Sequence, residues 1–183
     1  DAPLLALVHG GRDHKRSWDW TADALKDEFH VVAPDLRGHG ESDWASDGDY
    51  SLTDYVLDLA ALFKHLGKEP QTIVAHSLGG MVALRYAGLY PERVRRIVAV
   101  EGLGMSPRMI AEQEAKPVSE RLRTWDDKRL AKEERPLRRY PDLAAATARM
   151  REANPHLSEE QAHHLTRHGV RRHDDGSVSF GYD

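Results

Sequence analysis

The sequence predicts an α/β fold: a doubly wound parallel sheet followed by a mainly helical second part. Three observations predict it. Short apolar runs rich in β-branched residues alternate with segments of helical periodicity over roughly the first hundred residues. Three of these runs stop at turns built from glycine with histidine, serine or aspartate: "HGG" at 9–11, "DLRGHGESD" at 35–43 and "AHSLGG" at 75–80. Composition then changes, and residues 102–183 hold many charges and no long β-branched run.

Each element has a local reason. Strands are expected near 4–8, 29–33, 71–75 and 96–100, where apolar runs such as "LLALV" and "IVA" read as buried on both faces. Helices are expected at about 17–28, 53–66 and 78–89. In the second of these, Val56, Leu59, Ala60, Phe63 and Leu66 make one face, and Gly67 supplies the stop. In the third, Met81, Leu84 and Leu89 recur at helical spacing with Val82 and Tyr86 alongside, and Pro91 closes the run. Strand alternating with helix implies parallel pairing through right-handed crossovers. Farther on, helices are expected near 107–115, 118–134, 142–153 and 159–168. Ser106-Pro107 makes a cap with proline at the first helical position, and Ser158 with Gln161 has capping-box spacing. "VRRHDDGSVSF" then reads as a hairpin turning at Asp175-Gly176. The boundary falls near 104, giving a first domain at 1–104 and a second at 105–183.

Bulk properties exclude several classes. The 183 residues carry 26 basic and 30 acidic side chains and a net charge of −4, so no global field favours nucleic acid. No apolar run approaches the ~20 residues needed to span a bilayer. No cationic start with an apolar h-region marks a signal peptide. The absence of cysteine excludes disulfides and thiolate chemistry and fits a cytoplasmic protein.

The stretch "QTIVAHSLGGMVALRYAGLYPERV" carries the chemistry. Strand passes to helix there within about two residues, which forces the central residue into strained angles and leaves no room two positions away. Ala75 and Gly79 meet that need around Ser77. Small-x-Ser-x-small is the nucleophile elbow, which lifts the serine hydroxyl above the sheet edge. The usual form has glycine first, where this chain has Ala75. A serine capping the helix through the N–H of Gly79 or Gly80 would leave the same local pattern. The other two turns, taken singly, are also ordinary turn chemistry.

Together, "HGG", "DLRGHGESD", "AHSLGG" and "YPERVRRIVAVEG" at 90–102 resemble the α/β-hydrolase superfamily, and the whole chain, including the late "ANPHLSEEQ", looks most like the serine-hydrolase-like branch of its epoxide-hydrolase and haloalkane-dehalogenase relatives. The resemblance is close over residues 1 to 104 and loose beyond. It implies the strand order second, first, third, fourth, and a helical cap over the crevice at 105–183; a separate helical domain with no part in the site is the alternative. It also implies that Ser77 is the nucleophile and that the backbone N–H groups of Gly11 and Leu78 form the oxyanion hole. Family members open with a hairpin before the first motif and continue well past the length seen here. The sequence is therefore expected to be a fragment or natural truncation, with the catalytic histidine on a loop beyond its end.

Base and acid are less defined. Eleven histidines are present. His9 and His39 belong to turns, His76 sits in the elbow, and His156, His163, His164, His168 and His173 fall in the expected cap. His164 and His168 have a spacing that metals can use, but Leu165 stands where a zinc protease needs glutamate, so no metal site is expected. Glu101 follows the fourth strand at the edge where catalytic groups of such sheets gather, and is the candidate acid. Capping the strand or pairing with Arg93, Arg95 or Arg96 is its structural alternative, and the resemblance equally allows an acid one strand later, beyond the end of this sequence.

A serine attacks carbonyl carbon, whereas epoxide opening and dehalogenation need a carboxylate to attack sp³ carbon. The expected function is hydrolysis of ester or thioester carbonyls through an acyl-enzyme on Ser77, without a cofactor. The expected partner is a small carbonyl substrate, with neither nucleic acid nor a membrane span. The same elbow also serves acyl transfer and C–C bond hydrolysis, and a non-catalytic binding protein on this fold is the other class. The chain alone is expected to be inactive or very weak.

Overall fold

The computed structural model describes residues 2–46, 48–67, 70–133 and 137–182. Its main sheet has four parallel strands, β1 (Leu4–Val8), β2 (His30–Val32), β3 (Gln71–His76) and β4 (Val94–Val100), in the order β2-β1-β3-β4. All four C-terminal ends therefore lie at one edge. Helix α1 (Asp19–Leu25) follows a 3-10 turn at Lys15–Trp18 after β1; α2 (Leu52–Leu66) joins β2 to β3; α3 (Leu78–Leu89) joins β3 to β4.

Only β1 is buried on both faces throughout its length. Leu4, Ala6 and Val8 join a core with Val56, Leu59 and Phe63 of α2 and Val82, Ala83 and Tyr86 of α3, while Leu5 and Leu7 are buried on the opposite side. The Phe63 and Tyr86 rings meet edge to face at 5.1 Å between centroids. The expectation of four buried strands does not hold for β2 and β4, which are partly exposed because they flank the described sheet. The helix expected from 17 is also tighter at its start, since Ser17 donates both its backbone N–H and its hydroxyl to the His14 carbonyl.

The later helices are α4 (Pro107–Glu114), α5 (Val118–Glu133), α6 (Leu143–Ala153) and α7 (Glu159–Gly169), followed by the hairpin β5 (Val170–Arg172) and β6 (Val178–Phe180). Glu134, the expected last residue of the second of these, lies outside the described residues. Ser158 and Gln161 form the complete reciprocal capping box at α7. No described helix is long and apolar enough to cross a membrane.

The division of the chain differs from a single cut at 104. One compact unit joins the residues up to Leu103 with those from Tyr140 onward, and the other is Gly104–Arg139. Long-range backbone pairing is the reason. Tyr140 exchanges two hydrogen bonds with Val178 (2.8 and 2.9 Å), and their side chains form a small core with Ala146. Gly40 N–H donates to the Gly181 carbonyl at 3.0 Å, and His39 forms an antiparallel bridge with Tyr182. His14 donates from Nε2 to the Leu165 carbonyl of α7 at 2.9 Å. These contacts draw the final segment onto the loops that follow β1 and β2.

Candidate active site

Ser77 lies between β3 and α3 with φ 50° and ψ −112°, a region that a non-glycine residue enters only under strain. Its side chain makes no hydrogen bond to the helix it precedes, so the capping role that the sequence also allowed is absent. The elbow is wedged between two neighbouring strand ends. Its backbone N–H donates to Val100 O of β4 at 3.1 Å. A Cβ on Gly79 would stand 2.6 Å from the carbonyl oxygens of Val8 and His9, and one on Gly102 would overlap the Ser77 carbonyl. Glycine at those positions lets three backbones approach closely.

The "HGG" turn abuts this elbow. A Cβ on Gly10 would lie 2.7 Å from His76 Nδ1 and 3.3 Å from the Ser77 Cβ. One on Gly11 would lie 3.8 Å from Leu78 Cδ2 and 3.9 Å from Leu78 Cβ, so Gly11 and Leu78 are neighbours. Among the described residues, neither of their N–H groups donates to a backbone carbonyl. The amide of Leu78 also opens α3, whose N-terminal dipole favours negative charge. Two free donors and a strained serine thus share one end of the sheet.

Histidine fixes the turn. His9 is fully buried, and its Nε2 accepts the Leu36 N–H at 2.9 Å. The proton therefore sits on Nδ1, which donates to the Gly10 carbonyl at 2.7 Å. Burial holds the ring's pKa down at about 4, against the opposing pull of the Gly10 carbonyl and Asp13. In a trans peptide the carbonyl of Gly10 and the N–H of Gly11 point in opposite directions. By holding the carbonyl, His9 sets where the Gly11 N–H points.

Asp35 anchors the same loops from below. Its carboxylate accepts the N–H groups of Lys15 (2.6 Å) and Glu41 (3.0 Å) and pairs with the Lys15 ammonium at 2.9 Å. Burial opposes that charge, but these donors outweigh it and hold the carboxyl below its usual pKa. The sequence marked His9, Asp35 and His39 only as turn residues, because each also binds a group 20 or more residues away: Leu36 N–H, Lys15 and Arg12 N–H respectively.

Glu101 directly follows β4 with φ 62°, and its carbonyl oxygen lies over Gly80 of α3. Its side chain is exposed and pairs with no described arginine or histidine. No described histidine hydrogen-bonds to Ser77. The His164 and His168 rings on α7 meet at a tilt, 4.8 Å between centroids, and His164 Nε2 lies 3.0 Å from Asp19 Oδ2. Among the described residues, no group of three or more acidic or histidine side chains is placed to hold a metal. A hollow of about 780 Å³ beside α1 and α7 is lined by Asp19, Trp20 and these histidines, and by none of Ser77, Gly11 or Leu78.

The profile of the alpha/beta hydrolase fold family matches residues 3–174. The chain belongs to the α/β-hydrolase family. Over 180 residues this α/β-hydrolase is 30% identical to a serine hydrolase-like protein of Danio rerio, covering 96% of the chain and 53% of that relative. It is 30% identical over 182 residues to an esterase of Mycobacterium tuberculosis, covering 100% of the chain and 57% of the esterase. A solved structure of the M. tuberculosis esterase superposes with a TM-score of 0.78 at 28% identity, covering 100% of the chain and 59% of that structure. A thioesterase domain from the curacin biosynthetic pathway superposes with a TM-score of 0.81 at 27% identity, over 100% of the chain and 64% of that domain. The chain thus spans little more than half the length of the relatives it matches from end to end.

Proposed function

We propose that the whole protein is a serine hydrolase acting on ester or thioester carbonyls, with Ser77 as nucleophile and the N–H groups of Gly11 and Leu78 as oxyanion donors. The observation that carries this reading is the strained elbow: Ser77 at φ 50°, with no bond to its own helix, beside two backbone donors that no described carbonyl uses. Strain of this kind costs about 1–3 kcal/mol and persists where the surrounding structure enforces it. Here β1, β3 and β4 enforce it together.

The chemistry follows from the arrangement. The Ser77 oxygen attacks the carbonyl carbon while a base takes its proton, and the resulting oxyanion is met by the two amides. Collapse expels the alcohol or thiol and leaves an acyl-serine, which water then cleaves by the same route. These steps need no cofactor. The base belongs to the whole protein, on the loop after the last strand where the family carries its histidine. Glu101 is the proposed acid, reaching that histidine from the end of β4. The esterase and thioesterase among the similar proteins favour ester and thioester substrates over epoxides, which Ser77 is chemically unsuited to open.

Labelling with a fluorophosphonate tests the nucleophile. A full-length protein is expected to label at Ser77, and Ser77→Ala to lose the label with its fold intact. Undiminished labelling of Ser77→Ala would overturn the assignment. Glu101→Gln in the same protein is expected to lower kcat by roughly 10²–10⁴ with little change in thermal midpoint. A rate within a few fold of the parent would remove Glu101 from the triad. The 183-residue chain alone is expected to turn over an activated ester slowly, from the oxyanion donors without a base.

A further inference from the structure

We propose that His39 is a positioning residue for the oxyanion donor on Gly11, an inference that rests on the assignment of that N–H. Gly11 has no Cβ, so its backbone is the freest point of the loop. Its conformation is set by the two peptide planes on either side. His9 holds the first plane through the Gly10 carbonyl. The second plane, between Gly11 and Arg12, carries the Arg12 N–H, which donates to His39 Nε2 at 3.1 Å. With both planes held, φ and ψ of Gly11 are determined.

His39 is built to accept that bond. It is 7% exposed, and its Nδ1 faces the Arg37 carbonyl at 2.9 Å. A carbonyl can only accept, so the proton sits on Nδ1 and Nε2 presents a lone pair to Arg12. The backbone of His39 is fixed as well, by its N–H to Leu36 O at 3.0 Å and its bridge to Tyr182. Its ring packs 5.3 Å from that of His9, so adjacent histidines hold successive planes of one loop. Arg12 supplies the second sign of this restraint. It has φ 61°, where a side chain is disfavoured, and the bond to His39 offsets that cost. His39 thereby reaches an oxyanion donor without touching substrate.

Two variants, His39→Gln and His39→Leu, separate acceptor from filler. The glutamine side chain keeps an acceptor at about the reach of Nε2, and the leucine side chain keeps bulk alone. Both are compared with the parent in the full-length protein and in this chain. In His39→Leu the Arg12 amide, half-buried in this bond, is expected to exchange with solvent severalfold to about tenfold faster once its acceptor is gone. The Gly11 amide resonance should shift with it. Serine labelling should slow by about tenfold or more, a fraction of what loss of a whole oxyanion donor costs. His39→Gln should restore both. Ring nitrogen spectra of the parent should show His39 protonated on Nδ1 alone, a readout that survives if the leucine variant does not fold. Unchanged Arg12 exchange in His39→Leu, a glutamine variant as impaired as leucine, or a proton on Nε2 would each overturn the proposal. If the parent itself fails to label, the serine reading falls, while the amide and ring spectra still decide the role of His39.

Discussion

His9 has no exposed surface and both ring nitrogens are engaged, so a proton added to the native ring would remove the acceptor of the Leu36 N–H. Its pKa lies at about 4 in the folded chain, chiefly from burial, against roughly 6.5 when unfolded. Above pH 6.5 both states are neutral and the contribution to stability is complete. As pH falls from 6.5 toward 4 the unfolded chain takes up the proton first, and stability is lost. Between pH 7 and 4.5 that loss is expected to reach about 2–3 kcal/mol in urea unfolding. His168 is also lowered, by burial and by the nearby charges of Arg16 and His164, so the titration is to be repeated in His168→Gln. Equal stability at the two pH values would sink the neutral, buried reading of His9. The strained serine and its small neighbours were legible in the sequence because one short motif encodes them. The roles of His9 and His39 were not, since a histidine that binds a distant backbone amide leaves no periodic trace.

Periodicity carried most of the elements. The starts of β1, β3, α3, α4, α5 and the last hairpin fall where apolar spacing, proline and glycine place them. Environment is where pattern and structure part. β2 and β4 carry β-branched residues as a buried strand would, and the strand order shows that they flank the central pair β1 and β3. Capping chemistry was also readable, and α7 tests how much it contributes. The Ser158 hydroxyl accepts the Gln161 N–H at 3.1 Å, and the Gln161 side chain accepts the Ser158 N–H at 2.9 Å. Ser158→Ala removes the first bond and loosens the second, and is expected to cost about 1 kcal/mol, within the 0.5–2 kcal/mol span of such caps. The check is the denaturant midpoint, with Ser158→Asp as the capping control. An alanine variant as stable as the parent would show that α7 is held by its packing alone.

At the scale of the whole chain, the two compact units differ in how much they bury. Residues 2–103 and 140–182 contain both hydrophobic clusters and every fully buried side chain among the described residues. In Gly104–Arg139 every described side chain is exposed, including Met109, Val118, Leu122 and Trp125. The sequence showed this segment as charged helices without showing that the chain returns to the first unit at Tyr140. That return rests on pairs such as Tyr140 with Val178 and His39 with Tyr182, whose members are far apart in sequence. Helices that bury little open at low cost, whereas strands paired on both sides open only with the unit that contains them. Native-state hydrogen exchange of this chain should therefore resolve two classes. Amides of β1 and β3 are expected to exchange only through global unfolding, with a denaturant dependence to match. Those of α4 and α5 should exchange several orders of magnitude faster and be insensitive to denaturant. If α4 and α5 were instead protected to the level of β3, their exposed apolar side chains would have to be covered in solution, and the division into two units would fail as a description of how the chain unfolds.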